Sequence, residues 1–114
     1  MKNKFQAAFI GLRLCFGDKS IRLQLIIALM VTIGGLLIQL TLKQWIMVIS
    51  AIGLVVVAEV LNTCIEKVCD LIDSNYNEKI KVIKDLGAAA VLLASFYAII
   101  MACLIALMKL GVIV

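Results

Sequence analysis

One stretch of the sequence decides the fold and places its polar groups: Ala58-Glu59-Val60-Leu61-Asn62-Thr63-Cys64-Ile65-Glu66-Lys67-Val68-Cys69-Asp70. It continues the apolar run Ile46–Val57 without a break. The carboxylate of Glu59 and the amide of Asn62 therefore fall where lipid would surround a membrane helix. Because polar side chains at that depth are costly unless they face a site, a partner or water, we interpret both as functional.

The polar side chains of this segment share one face of a helix. At about 3.6 residues per turn, five of them fall within roughly 80° of arc: Glu59, Asn62, Glu66, Asp70 and Asp73. A polar face that runs from the membrane into water suits a divalent metal ion and a proton acceptor. A lone membrane Glu59 could instead bridge helices, and Glu66 and Asp70 alone would fit a solvated helix end; their shared face favours function.

The composition predicts a small, all-α membrane protein. Hydrophobic residues make up 65% of the 114 residues and proline is absent, while the mean hydropathy is +1.19. We expect one domain, residues 1–114, with transmembrane helices at about 23–42, 45–66 and 86–108, since each segment can cross about 30 Å of hydrocarbon. A tight turn near residue 41 and a polar loop over about 70–83 would join them. Three helices alone bury little surface, so self-association is expected.

The N-terminal segment predicts an amphipathic helix over about 4–16 that lies on the membrane surface. Its apolar side chains recur at helical spacing: Phe5, Ala8, Phe9, Leu12 and Phe16. No apolar stretch long enough for a signal peptide precedes Arg13, so we do not expect one. A bend over 17–20 follows, in which Asp18 or Ser20 would cap the next helix.

The basic residues predict the orientation in the membrane. Nine of the eleven lie on the side shared by the N-terminus and the second loop: Lys2, Lys4, Arg13, Lys19, Arg22, Lys67, Lys79, Lys81 and Lys84. Only Lys43 and Lys109 lie on the other side. The positive-inside rule therefore predicts a multi-pass protein of the inner or plasma membrane whose N-terminus and polar face open to the cytoplasm. The net charge of +4 reflects this belt and does not indicate nucleic-acid binding.

Two interpretations stay open for the start of the third span. Lys84 could be an interfacial lysine that extends to water, with Asp85 in the first helical turn, where an anion is favoured. Lys84 could equally meet phosphate oxygens. The small residues Gly87–Ala90 that follow permit close helix approach, and we interpret them as packing.

Two motifs carry a resemblance to a known family. Residues 59–70 match the pattern E-x-x-N-[ST]-[AC]-I-E-x-x-x-D, and residues 83–92 match x-K-D-x-[GA]-[SA]-[AG]-A-V-L. These are the motifs of the bacterial integral-membrane diacylglycerol kinases and their relatives, the undecaprenol kinases, which this sequence resembles. Phe9–Arg13 is similar to the surface-helix segment of that family. The resemblance covers nearly the whole chain.

The resemblance implies a homotrimer of three-span subunits, with active sites shared between neighbouring subunits at the cytoplasmic interface. It implies transfer of the γ-phosphate of ATP, carried with Mg²⁺, to the hydroxyl of a membrane lipid. Glu59 resembles the catalytic base, and Glu66 resembles a ligand of the Mg²⁺ and the nucleotide. Lys84 resembles the residue that meets the phosphates, and Asp70 matches an aspartate near the nucleotide.

The same resemblance implies supporting roles in the site for Asn62 and Asp85. The family usually has a glutamate after the surface helix that joins the metal and nucleotide site. Its best match here is Asp18, one methylene shorter and reached only after a one-residue gap; aspartate can still ligate Mg²⁺. The lipid alcohol would be diacylglycerol or undecaprenol, and the short N-terminus and the outer turn before Trp45 look more like the undecaprenol kinases.

A second class of function stays open, namely a small oligomeric transporter or channel that uses Glu59 as a proton site. A small multidrug transporter has a similar length and an essential membrane glutamate. It would need four spans with the acid in the first, whereas this sequence predicts three spans with the acid in the second. A proton-conducting or scaffold oligomer would explain neither Lys84 and Asp85 nor the polar face.

Overall fold

The computed structural model describes residues 2–114, and the regular elements within them are all α-helices. The four helices are α1 (Lys2–Cys15), α2 (Lys19–Leu37), α3 (Leu42–Ile72) and α4 (Glu78–Lys109). The last three are long and apolar enough to cross a membrane. The prediction of an N-terminal helix followed by three spans is confirmed, while the trimer and the amphipathic placement of α1 stay predictions.

Local side-chain chemistry sets the start of α2 and of α3. Asp18 is the N-cap of α2 and accepts a hydrogen bond from the Ile21 backbone N–H at 3.1 Å; of the two caps that the sequence left open, Asp18 and Ser20, the structure has the first. At α3, Thr41 and Gln44 form a capping box, with bonds of 3.0 and 3.3 Å between each side chain and the other's backbone N–H. The turn between α2 and α3, which the sequence predicts as the outer turn, is therefore residues 38–41, slightly earlier than predicted.

Helices α3 and α4 extend further than the sequence predicted, and the expected loop over 70–83 is wrong. Only residues 73–77 separate the two helices. Asp73 ends α3 and accepts from the Asn75 backbone N–H at 2.9 Å, so it leaves the predicted polar face. Hydropathy marks the lipid boundary and not the helix end: the 31 residues of α3 span about 46 Å, against about 30 Å of hydrocarbon.

The main interface lies between α3 and α4, while α2 packs on α3 and α1 makes almost no contact with the other helices. At the outer turn, Gly35 lies so close to Leu40 and Trp45 that a Cβ would be 2.8 Å from each side chain. The hydroxyls of Ser50 and Tyr97 are 3.1 Å apart and join α3 to α4. Most large apolar side chains remain exposed, as expected for surfaces that meet lipid or other copies.

Two lysines tie the C-terminal end of α4 to the outer turn. The Lys109 Nζ donates to the carbonyl oxygen of Gln39 at 2.8 Å, and the Lys43 Nζ donates to that of Val114 at 3.3 Å. These are the two basic residues that lie opposite the N-terminus. Their ammonium groups therefore satisfy backbone acceptors where the helices end.

The N-cap of α4 gives a test of the short α3–α4 turn. Asn77 accepts from the backbone N–H groups of Lys79 and Ile80, so Asn77→Ala should destabilise the first turn of α4 by about 1 kcal/mol. Hydrogen exchange of residues 78–82 in micelles should accelerate in this variant. The matched control is Asn75→Ala, which keeps the backbone bond to Asp73; equal acceleration in both variants would contradict the cap assignment.

Candidate active site

Helix α3 carries its polar face from the interior of the bundle into solvent. Glu59 and Asn62 are 9% and 7% exposed, whereas Glu66 and Asp70 are exposed. Because α3 is continuous, the four side chains share one face, as predicted. Apolar residues on the opposite face are exposed, as lipid-facing side chains would be. The face thus runs from a buried carboxylate to solvated ones.

Glu59 lies in a neighbourhood of like charges. The carboxylates of Glu66 and Asp18 both lie near enough to repel its charge. Asp18 comes from the start of α2, where its Oδ1 is held by the bond from Ile21. The repulsion acts mainly on Glu59, which is buried, because Glu66 is exposed and Asp18 is half-buried and water screens their charges. The arrangement therefore favours a site that receives positive charge.

Asn62 orients Glu66. Its Nδ2 donates to Oε1 of Glu66 at 2.9 Å, an interaction that the i, i+4 spacing alone could have revealed. The Oδ1 of Asn62 is buried without a hydrogen-bond partner and faces Gly87 on α4. Gly87 is buried, whereas the following residues 88–90 are exposed. Within one chain, Gly87 is therefore the residue of this small-residue segment that packs against α3.

Lys84 of α4 points towards the polar face of α3. Its Nζ lies 2.6 Å from Oδ1 of Asp70, in an ion pair whose side chains are 38% and 60% exposed. The charge of Glu66 also acts on the Lys84 ammonium. Lys84 therefore lies beside the polar face of α3, and its contact with phosphate stays a prediction. Asp85 is separate from this group, because it pairs with Lys81 at 2.7 Å on the exposed side of α4.

The carboxylates near Glu59 suit a metal ion that is already bound to water and phosphate oxygens. Within residues 2–114, no group of three or more His, Cys, Asp or Glu side chains is placed to hold a metal ion. Glu66 keeps one carboxylate oxygen outside its bond with Asn62, and Asp18 keeps one outside its cap. Mg²⁺ retains several waters and commonly takes only one or two carboxylates together with phosphate oxygens. Glu66 and Asp18 are therefore suitable ligands for phosphate-bound Mg²⁺.

An apolar cavity of about 290 Å³ lies on the same face of α3 as Glu59. Ile52, Val55 and Val56 line it at positions one and two turns before Glu59, and α2 and α4 complete the walls. Glu59 does not line the cavity, which begins about one turn from it and extends towards the middle of the spans. An alkyl chain in the cavity whose polar end lies towards Glu59 would bring that end within about one turn of the carboxylate.

Comparison with known proteins finds similarity along most of the chain. The sequence model of the family described as prokaryotic diacylglycerol kinase matches residues 6–106. A diacylglycerol kinase of Escherichia coli K12 is 43% identical over 60 residues, which cover 53% of this chain and 49% of that protein. An undecaprenol kinase of Bacillus subtilis 168 is 36% identical over 80 residues, which cover 70% of this chain and 65% of that protein. The chain thus spans about half the length of the E. coli relative that it matches.

Proposed function

The chain belongs to the prokaryotic diacylglycerol kinase family, and we propose that it is an ATP-dependent lipid kinase. It transfers the γ-phosphate of Mg-ATP to the hydroxyl of a membrane lipid. The acceptor is diacylglycerol, giving phosphatidic acid, or undecaprenol, giving undecaprenyl phosphate. The observation that carries the proposal is the buried carboxylate of Glu59 on one face with Glu66, with Lys84 brought to that face from α4.

Glu59 is the general base of this reaction. A span that starts at Trp45 would leave the hydrocarbon near residue 65. Glu59 lies about six residues, or about 9 Å along the helix, before that point. A lipid whose chain occupies the cavity beside Ile52 and Val55 would present its hydroxyl at this level. Glu59 accepts the hydroxyl proton as the lipid oxygen bonds to the γ-phosphorus and the bond to ADP breaks.

Lys84 supplies positive charge to the phosphates. Its present partner is Asp70, in an exposed ion pair that water screens and that therefore contributes little to stability. The ammonium can therefore exchange Asp70 for phosphate oxygens at little cost, and Asp70 keeps it directed at the site until nucleotide arrives. Phosphoryl transfer depends mainly on such positioning and charge.

Glu66 and Asp18 hold the Mg²⁺ that accompanies ATP. When bound, the metal ion neutralises charge on the phosphate oxygens. Asn62 contributes by fixing the Glu66 carboxylate through the 2.9 Å bond to Oε1. Asp85 pairs with Lys81 outside this group, so the supporting role that the family resemblance implies for it is indirect, through the charge it places next to Lys84.

The active protein is a homotrimer with shared sites and a cytoplasmic N-terminus. Each candidate span of the single chain buries less than a quarter of its most apolar window, which leaves large faces for other copies. The basic residues lie nine to two in favour of the N-terminal side, which supports a cytoplasmic site within reach of ATP. The helix α1 lies on that membrane surface with its phenylalanines exposed to lipid.

The deciding experiment is transfer of labelled phosphate from Mg-ATP to diacylglycerol and to undecaprenol, side by side in mixed micelles. Glu59→Gln should lower kcat by about 10²- to 10⁴-fold with the better lipid, because the proton acceptor is lost. Glu78→Gln, an exposed carboxylate at the start of α4, is the matched control and should keep wild-type turnover.

The ratio of kcat/KM for the two lipids identifies the acceptor. Near wild-type turnover in Glu59→Gln would refute the base assignment alone. A folded wild-type oligomer that phosphorylates neither lipid would refute the kinase and return Glu59 to an ATP-independent role, such as a proton site in a transporter or channel.

The metal ligand is tested by the Mg²⁺ requirement. Glu66→Gln should raise the Mg²⁺ concentration that gives half-maximal activity, because an amide is a weaker ligand than a carboxylate for this cation. Titration of Mg²⁺ at fixed ATP measures the shift, with Glu78→Gln again as the control. An unchanged titration curve would show that Glu66 does not ligate the metal.

The phosphate contact is tested at Lys84. Lys84→Met should raise KM for ATP or lower kcat by about 10- to 100-fold, because hydrogen bonds to charged groups contribute about 1.5–3 kcal/mol. Lys79→Met is the control, since Lys79 is an exposed lysine on the same helix that the site does not use. If both variants match the wild type, Lys84 is only an interfacial lysine.

A further inference from the structure

Gly87 makes the closest approach of α4 to the polar face of α3. A Cβ added at Gly87 would lie 2.5 Å from Oδ1 of Asn62 and 3.5 Å from two side-chain carbons of Ile65. The distances to Ile65 are ordinary van der Waals contacts, whereas the distance to Asn62 is one that real Cβ atoms essentially never show. In this chain the carbonyl end of Asn62 therefore occupies the space that a Cβ at position 87 would need, and Asn62 would have to shift to admit one.

At this contact, the oxygen and the nitrogen of the Asn62 carboxamide differ in their hydrogen bonding. Its Oδ1 is buried and has no hydrogen-bond partner, although a buried carbonyl without a partner is unfavourable. Its Nδ2 donates to Glu66. Rotating the side chain to bring Oδ1 into water would break the bond to Glu66. The observed orientation therefore requires enough space for Oδ1 at the surface of α4. Gly87 provides this space because it has no side chain, and its Cα–H is a weak hydrogen-bond donor at most.

We propose that Gly87 is a positioning residue for the Mg²⁺ site, and that it acts through Asn62 on Glu66. By leaving room for the Asn62 carboxamide, it fixes the side chain that holds the Glu66 carboxylate. The inference rests on the proposed function for the metal role of Glu66, but the chain of contacts from Gly87 to Glu66 does not depend on it. The competing explanation is that Gly87 only lets two helices pack.

Gly87→Ala should displace Asn62 and release Glu66. Removing a residue that orients a metal ligand typically weakens the metal site about 10-fold or more, so the half-maximal Mg²⁺ concentration should rise by about that factor. At saturating Mg²⁺, kcat should fall much less. Gly53→Ala is the matched control, because Gly53 is a helical glycine on α3 with no atom within 4 Å of an added Cβ.

A double-mutant cycle separates positioning from packing. In an Asn62→Ala background the opposing oxygen is gone, so adding Gly87→Ala should cause no further rise in the Mg²⁺ requirement. A merely structural glycine would give losses that add in the two backgrounds and a lower thermal midpoint in both. Additive losses would overturn the proposal, and so would an unchanged Mg²⁺ requirement in Gly87→Ala.

A readout without turnover keeps this test independent of the kinase assignment. The side-chain amide resonance of Asn62 in ¹⁵N-labelled protein, assigned by its loss in Asn62→Ala, should be protected from solvent exchange in the wild type. It should exchange faster in Gly87→Ala and stay protected in Gly53→Ala. If the Asn62 amide is equally protected in Gly87→Ala, the proposal is overturned. If the amide exchanges as expected in all variants but the wild type phosphorylates neither lipid, only the kinase function is refuted.

The double variant also covers the case in which Gly87→Ala does not fold. If the clash with Asn62 is the cause, Gly87→Ala with Asn62→Ala should fold and oligomerise, because the methyl group then occupies the vacated space. Failure of the double variant to fold, while Asn62→Ala alone folds, would show that position 87 is required for helix packing itself and would overturn the proposal.

Discussion

The carboxylate of Glu59, nine-tenths buried in an otherwise apolar helix, is the constraint on which the rest of the structure depends. A charge at that depth is tolerated only beside water, a partner or a site. Helix α3 meets this condition by continuing its polar face outward through Asn62 and Glu66, and α2 begins beside it at Asp18. The repulsion that Glu66 and Asp18 exert on Glu59 would be reduced by a bound cation or by a proton.

Two contacts between α3 and α4 lie on either side of Glu66 along α3. On the membrane side, Asn62 meets Gly87; on the solvent side, Asp70 meets Lys84. The first contact is tight and desolvated, and it leaves no room for a Cβ at position 87 unless Asn62 shifts. The second is exposed and weak, so its ammonium remains available for another anion. The same pair of helices thus combines a rigid contact with an exchangeable one.

Much of this arrangement could be predicted from the sequence, because it depends on local rules. The three apolar segments and the shared face of Glu59 to Asp70 follow from hydropathy and helical periodicity, and the cap at Asp18 follows from the chemistry of one residue. The ends of α3 and α4 did not follow, because hydropathy reports where lipid ends while the helices continue into water. The pairing of Lys84 with Asp70 depends on this additional length of the two helices. Because a turn of only five residues joins α3 to α4, it determines which side chains of the two helices lie opposite each other.

The near absence of contact between α1 and the rest of the chain has a mechanical consequence. Asp18 moves with α2, because the Ile21 backbone holds its carboxylate, and the change of direction takes place over residues 16–18. A movement of α1 therefore reaches Asp18 only through the backbone of residues 16–18, because hardly any packing between helices transmits it.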